Sequence, residues 1–212
     1  MDVQRSRENQ AKSSFGQCIK PSGTTRERNT MKRLALCALI LGSVAAGPAL
    51  AALADGTQAP DFTAQASMGG KEFTFSLADA LKKGPVVLYF YPAAFTSGCT
   101  VEAHDFADAT EKFAALGATV IGVSHDKIDT LDKFSVSECR SKFAVAADPD
   151  LVIAKSYDAT AWFMPGHSDR TSFVITPDGK VIYSYSALSP DAHVKNTMDA
   201  LQKWQAGKPA NP

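Results

Sequence analysis

This 212-residue chain lacks net charge, internal repeats and closely spaced cysteines: 22 Lys and Arg balance 22 Asp and Glu, and there are only four Cys. The balance hides an asymmetry, because residues 1–54 carry eight basic residues against three acids while residues 55–212 carry fourteen against nineteen. A mildly acidic body argues against a nucleic-acid partner, since phosphate backbones are held by basic surface. No two cysteines stand two residues apart; Thr96 occupies the place where the first of a Cys-x-x-Cys pair would precede Cys99. Dithiol exchange at a single helix start is thereby excluded. His125, His167 and His193 are scattered along the chain, so neither a metal nor another cofactor is expected. Arginine is also scarce: beyond residue 54 only Arg140 and Arg170 remain.

One long uncharged stretch is present. Met31, Lys32 and Arg33 lead into apolar Leu34–Ala46, Gly47 and Pro48 interrupt it, and small-residue sites follow up to Ala54. This pattern predicts a signal peptide over 31–54 and a periplasmic or secreted protein, with an uncleaved membrane anchor as the alternative. Residues 1–30, polar and without apolar periodicity, read as disordered or as an extension upstream of a start at Met31. Cleavage would remove Cys18 and Cys37, leaving a body of residues 55–212 with two thiols, Cys99 and Cys139, and no stable membrane association.

In that body, Gly69-Gly70 suggests a hairpin, and Ser76 caps a short helix. Val86–Tyr91 is an uncharged run fit for a central strand. Thr96–Leu116 reads as a helix with Val101, Phe106, Ala109, Phe113 and Leu116 on its apolar stripe, closed by Gly117. A strand at Ala118–Ser124, a helix from Asp129 to about Glu138, a short strand at Phe143–Ala147 and a helix from Leu151 to Tyr157 follow. A hairpin then turns on Pro177-Asp178-Gly179-Lys180, and a final helix is expected to start at Ser189 and Pro190. Parallel crossovers in front and a hairpin behind give an α/β fold, a mixed β-sheet flanked by helices on both faces.

The chemistry concentrates after the central strand. Pro92 ends it, and Thr96, Ser97, Gly98 and Cys99 arrive at the mouth of a helix, where unpaired N–H groups and the helix dipole favour a thiolate. Three residues apart, Thr96 and Cys99 are expected to share a helical face, with the hydroxyl near the sulfur. The alternative for Cys99 is a small buried hydrophobe.

The spacing Pro92, three residues, Thr96, two residues, Cys99 resembles the active-site motif of the peroxiredoxins, the alkyl hydroperoxide reductase and thiol-specific antioxidant family. The runs Tyr89-Phe90-Tyr91-Pro92 and Gly98-Cys99-Thr100-Val101-Glu102-Ala103 resemble its peroxiredoxin Q or bacterioferritin-comigratory-protein branch, and the likeness covers roughly residues 55–205. The resemblance implies a thioredoxin-like fold and reduction of hydrogen peroxide and organic hydroperoxides by Cys99. Thr96 and the N–H groups of Ser97 and Gly98 would hold the peroxide, and Pro92 would shield the sulfur. It also implies a thioredoxin-like or other thiol as reductant, and a monomer. Arg170, in an Arg-Thr-x-Phe pattern before Pro-Asp-Gly, resembles the family's catalytic arginine; otherwise it is a surface charge paired with Asp169.

Many members of this branch resolve the oxidised cysteine with another five residues later, a place held here by His104. Others use a cysteine on the following helix, which implies that role for Cys139; the alternative is a single-cysteine enzyme regenerated by an external thiol. Phe95, Trp162, Phe163 and Met164 are candidates for an apolar approach to the sulfur. A thioredoxin-like thiol–disulfide exchange or binding protein without peroxidase activity is the competing reading, and a permanently bridged Cys99–Cys139 interaction protein the third.

Overall fold

A computed structural model describes residues 52–207. The extension over 1–30, Cys18, Cys37 and all but the last three residues of the expected signal peptide over 31–54 lie outside the described residues. Among the described residues no helix is long and apolar enough to cross a membrane.

Seven strands form one sheet in the order β2-β1-β5-β4-β3-β6-β7. The strands are β1 (Thr63–Met68), β2 (Lys71–Ser76), β3 (Val86–Phe90), β4 (Thr119–Ser124), β5 (Ala144–Ala147), β6 (Thr171–Ile175) and β7 (Val181–Ser186). Parallel pairing joins β3 to β4 and β4 to β5, and every other pair is antiparallel. The helices are α1 (Leu77–Leu81), α2 (Ser97–Ala115), α3 (Ile128–Ser137), α4 (Val152–Ser156) and α5 (His193–Ala206).

All five residues of β3 are buried, so alternate side chains feed both faces of the sheet. Val86, Leu88 and Phe90 join α1 and α4 on one side; Val87, Tyr89 and Tyr91 join α2, α3 and α5 on the other. Two apolar layers sandwich the sheet as the sequence predicts, in a thioredoxin-like arrangement. Tyr89 lies across from Gly122 in the β3–β4 register, and a Cβ at Gly122 would come within 2.7 Å of its ring. That vacancy lets Tyr89 lie flat and stack on Phe106 of α2 at 4.4 Å between centroids.

Three sequence expectations are corrected. The last helix does not begin at Ser189 and Pro190: the Ser189 hydroxyl donates to the Asp191 carboxylate, and the first helical residue is His193. Helix α4 starts at Val152, because Leu151 takes a left-handed conformation (φ 55°), while Asp148 accepts from the N–H groups of Ile153 and Ala154. Val101 is 45% exposed, since the inward face of α2 is phased by Cys99, Glu102, Ala103, Phe106, Ala109 and Phe113.

Candidate active site

Cys99 sits in the first turn of α2 and is only 1% exposed. The chain enters this turn through a bent loop held from β4's end. Asp126 accepts from the Ala94 N–H at 2.7 Å and from the Ser124 hydroxyl at 2.8 Å, and His125 donates from Nδ1 to the Pro92 carbonyl at 2.7 Å. Pro92 is buried, and Phe95 adopts the left-handed region (φ 63°), uncommon for a residue with a bulky side chain. Sequence reasoning missed the anchoring by His125 and Asp126, because residues that close a loop from another strand leave no local pattern.

Thr96 is the residue before the helix, with extended backbone (φ −78°, ψ 149°), so the expected helical face shared with Cys99 does not exist. Its exposed side chain turns back and donates to the Ala93 carbonyl at 3.0 Å. No side chain therefore caps the turn, and the N–H groups of Ser97, Gly98 and Cys99 point along the helix axis without intrahelical acceptors.

Arg170 immediately precedes β6, one step beyond the Phe90–Thr171 pair, which brings it beside the end of β3. It is not the surface partner of Asp169, whose carboxylate takes the Arg170 backbone N–H instead. The guanidinium is buried and held from several sides. Nε donates to the Leu188 carbonyl at 2.9 Å, Nη1 to the Glu102 carboxylate, and Nη2 to the Cys99 sulfur at 3.4 Å. Gly98 makes this approach possible, because a Cβ there would stand 3.0 Å from Nη2. Burial works against the guanidinium charge, but its contacts with Glu102 and the Cys99 sulfur raise the pKa overall, so the cation is secure.

Glu102 and His193 complete the cluster, and neither was singled out for a role from the sequence. Both are fully buried. Glu102 lies one helical turn after Cys99 on the same face, so an acid at a core-facing position was a readable signal; His193 was hidden by the misplaced helix start. Burial pushes the Glu102 carboxyl up to about 8 even against the opposing pull of Arg170.

Cys139 lies just beyond the C-terminal end of α3, fully buried in the same apolar layer as Cys99, and both are free thiols. Burial, then the charge of Glu138, pushes its pKa well up. Its segment is tied to α2 by the contact of His104 Nε2 with the Glu138 carboxylate (2.9 Å) and by ion pairs of Arg140 with Asp108 and of Lys142 with Glu111 (3.0 Å). His104 is thus engaged at the neighbour of Cys139. Tyr91 stacks on Phe134, which also packs edge-on against Phe95, linking the loop before Cys99 to the helix before Cys139. Trp162 and Phe163 are 81% and 43% exposed.

The histidines are less scattered than expected: the rings of His125 and His167 meet at 4.4 Å between centroids. Among the described residues the one carboxylate group close enough to share a cation is Glu72, Asp129 and Asp132, largely exposed and away from Cys99 in sequence.

The profile of the AhpC/TSA family matches residues 56–184. Peroxiredoxin Bcp of Bacillus subtilis is 32% identical over 154 residues, covering 69% of this chain and 94% of that protein. Chloroplastic peroxiredoxin Q of Oryza sativa subsp. japonica is 33% identical over 148 residues; the match covers 69% of this chain but only 66% of the rice protein. The crystal structure of peroxidoxin BcpB from Mycobacterium tuberculosis superposes with a TM-score of 0.63 at 32% identity, covering 70% of this chain and 96% of that one. By these matches and by its fold, the chain belongs to the AhpC/TSA family of peroxiredoxins, on the branch of peroxiredoxin Q and Bcp.

Proposed function

We propose that this protein is a thiol peroxidase in which Cys99 is the attacking sulfur. The observation that carries this reading is the Arg170 guanidinium on the Cys99 sulfur at an uncapped helix start. A fixed cation and open N–H groups beside the sulfur receive negative charge as it develops in the transition state. The Cys99 thiolate attacks the nearer oxygen of ROOH; the S–O bond forms, the O–O bond breaks, and the departing RO⁻ takes a proton to leave as water or alcohol. Cys99 ends as sulfenic acid. Ser97 and Gly98 hold the peroxide by their N–H groups, Thr96 lines the entrance, and Pro92 closes the far side. Hydrogen peroxide and organic hydroperoxides are the substrate class.

Resolution follows by attack of the Cys139 sulfur on the sulfenic acid, forming the disulfide and releasing water, after which a thioredoxin-like dithiol reduces the pair. Both sulfurs are buried, so the segments around them must open. Arg140 and Ser141, directly after Cys139, hold left-handed φ of 50° and 55°, a strained pair that favours local opening. The protein acts as a monomer, exported by the segment over 31–54, which N-terminal sequencing of the mature protein checks.

Stopped-flow mixing of the reduced protein with hydrogen peroxide tests the core of this reading. Consumption orders of magnitude faster than by a free thiol, lost in Cys99→Ser, is expected; a rate typical of free cysteine refutes it. Peptide mapping of the oxidised protein without reductant should find Cys99 joined to Cys139, and a Cys99 sulfenic acid with Cys139 still reduced would mark a single-cysteine enzyme instead.

A further inference from the structure

The two oxygens of Glu102 occupy unlike settings. Oε2 accepts from Arg170. Oε1 is buried, has no hydrogen-bond donor among the described residues, and lies 3.5 Å from His193 Nδ1. The imidazole's other nitrogen, Nε2, stands 3.0 Å from the Ala187 carbonyl, which only accepts, so Nε2 carries a hydrogen. The Ser172 hydroxyl is 2.8 Å from Nδ1 and can donate to it.

With a neutral imidazole, Nδ1 carries no hydrogen and its one lone pair accepts from Ser172, so it offers Oε1 no donor. An ionised carboxylate there would leave an anionic oxygen without a donor in a dry layer, which disfavours the charged form. A proton on Oε1 removes the unsolvated charge, while Oε2 still accepts from Arg170. Both environments agree: burial holds the Glu102 carboxyl up, to about 8, and burial with the nearby Arg170 holds His193 down, to about 4. Other groups facing Glu102 are Cys99 and Asp105 on its own helix and the Tyr89 hydroxyl of β3; Asp105 also opposes ionisation.

We propose that His193 is a positioning residue: its Nδ1 keeps Glu102 protonated, and so reserves the charge of Arg170 for the sulfur of Cys99. If Glu102 were ionised, Arg170 would be neutralised by its carboxylate. With the proton retained, the cation faces one anion, the thiolate. Because Ala187 adjoins Leu188, whose carbonyl holds Arg170 Nε, the His193–Ala187 bond also fixes the turn behind the guanidinium. This inference rests on the peroxidase reading for its consequence but not for its first test.

That test is an infrared difference spectrum at pH 7 between the reduced protein and Glu102→Gln. A protonated-carboxyl band present in the wild type and absent in the variant is expected; an ionised-carboxylate band in its place overturns the proposal whatever the protein does with peroxide. The second test is the pH profile of peroxide consumption. Wild type should slow on the alkaline side as Glu102 loses its proton. His193→Asn offers Oε1 a donor that favours the ionised form, and should move that fall about one pH unit lower. In the Glu102→Gln background the alkaline fall should be absent and His193→Asn should not restore or shift it. An unshifted fall in His193→Asn, or a shift that persists without an ionisable residue at 102, overturns the proposal. Failure of the peroxidase reading would show separately, as no difference between wild type and Cys99→Ser.

Discussion

Cys99 and Cys139 share one apolar layer and almost no exposure, yet they meet opposite electrostatics. The first stands at the positive end of a long helix with a guanidinium on its sulfur; the second stands past the C-terminal end of α3, beside Glu138 and with its thiol pushed well up. Burial raises the Cys139 thiol most and Glu138 adds to it, whereas a guanidinium stands on the Cys99 sulfur; in the proposed reading that difference assigns attack to Cys99 and resolution to Cys139.

The contrast breaks most completely when the cation is removed. Arg170→Gln keeps some hydrogen bonding but loses the charge, and should slow the first oxidation of Cys99 by about 10²–10³-fold, the range seen when one preorganised donor is removed; stopped-flow kinetics reads it. Cys139→Ser probes the other side: the first oxidation should persist, while the second turnover fails and intact-mass analysis shows Cys99 climbing to the sulfinic state under excess peroxide. Gly98→Ala is gentler. The added methyl meets Nη2 at 3.0 Å and must push the guanidinium aside by a few tenths of an ångström, so a loss of roughly tenfold or less is expected.

A further effect concerns stability rather than rate. His193 is held down to about 4 when folded, against the ordinary 6.5 of an exposed histidine, so the unfolded chain binds a proton that the folded one refuses. Stability from this group is full above the unfolded value and falls as pH drops from 6.5 toward 4, by at most about 3 kcal/mol. Urea unfolding at pH 7 and pH 4 should show a shallower loss for His193→Asn than for wild type.

Much of this site was legible in the sequence because it is local. Pro92, Ser97, Gly98 and Cys99 lie on one continuous strand–loop–helix, and the place of Arg170 follows from the hairpin that ends at Pro177-Asp178-Gly179. What stayed hidden depends on helix phase and on contacts between distant segments. Val101 is apolar and read as core, although the phase from Cys99 to Phe106 puts Glu102 and Ala103 inward in its place. Ser189 and Pro190 imitate a helix start, but the side chain of Ser189 turns to Asp191, so the inward direction of His193 could not be deduced. Thr96 was assigned a helical geometry it lacks, because a residue just ahead of the first turn has extended backbone.

The flat stacking of Tyr89 over Gly122 reaches beyond packing. Any side chain at position 122 would lift the tyrosine off Phe106, and through that ring disturb the helix that carries Cys99. A larger residue at 122 therefore fits this packing only together with a smaller one at 89, so the pair sets by its combined volume how closely α2 lies on the sheet.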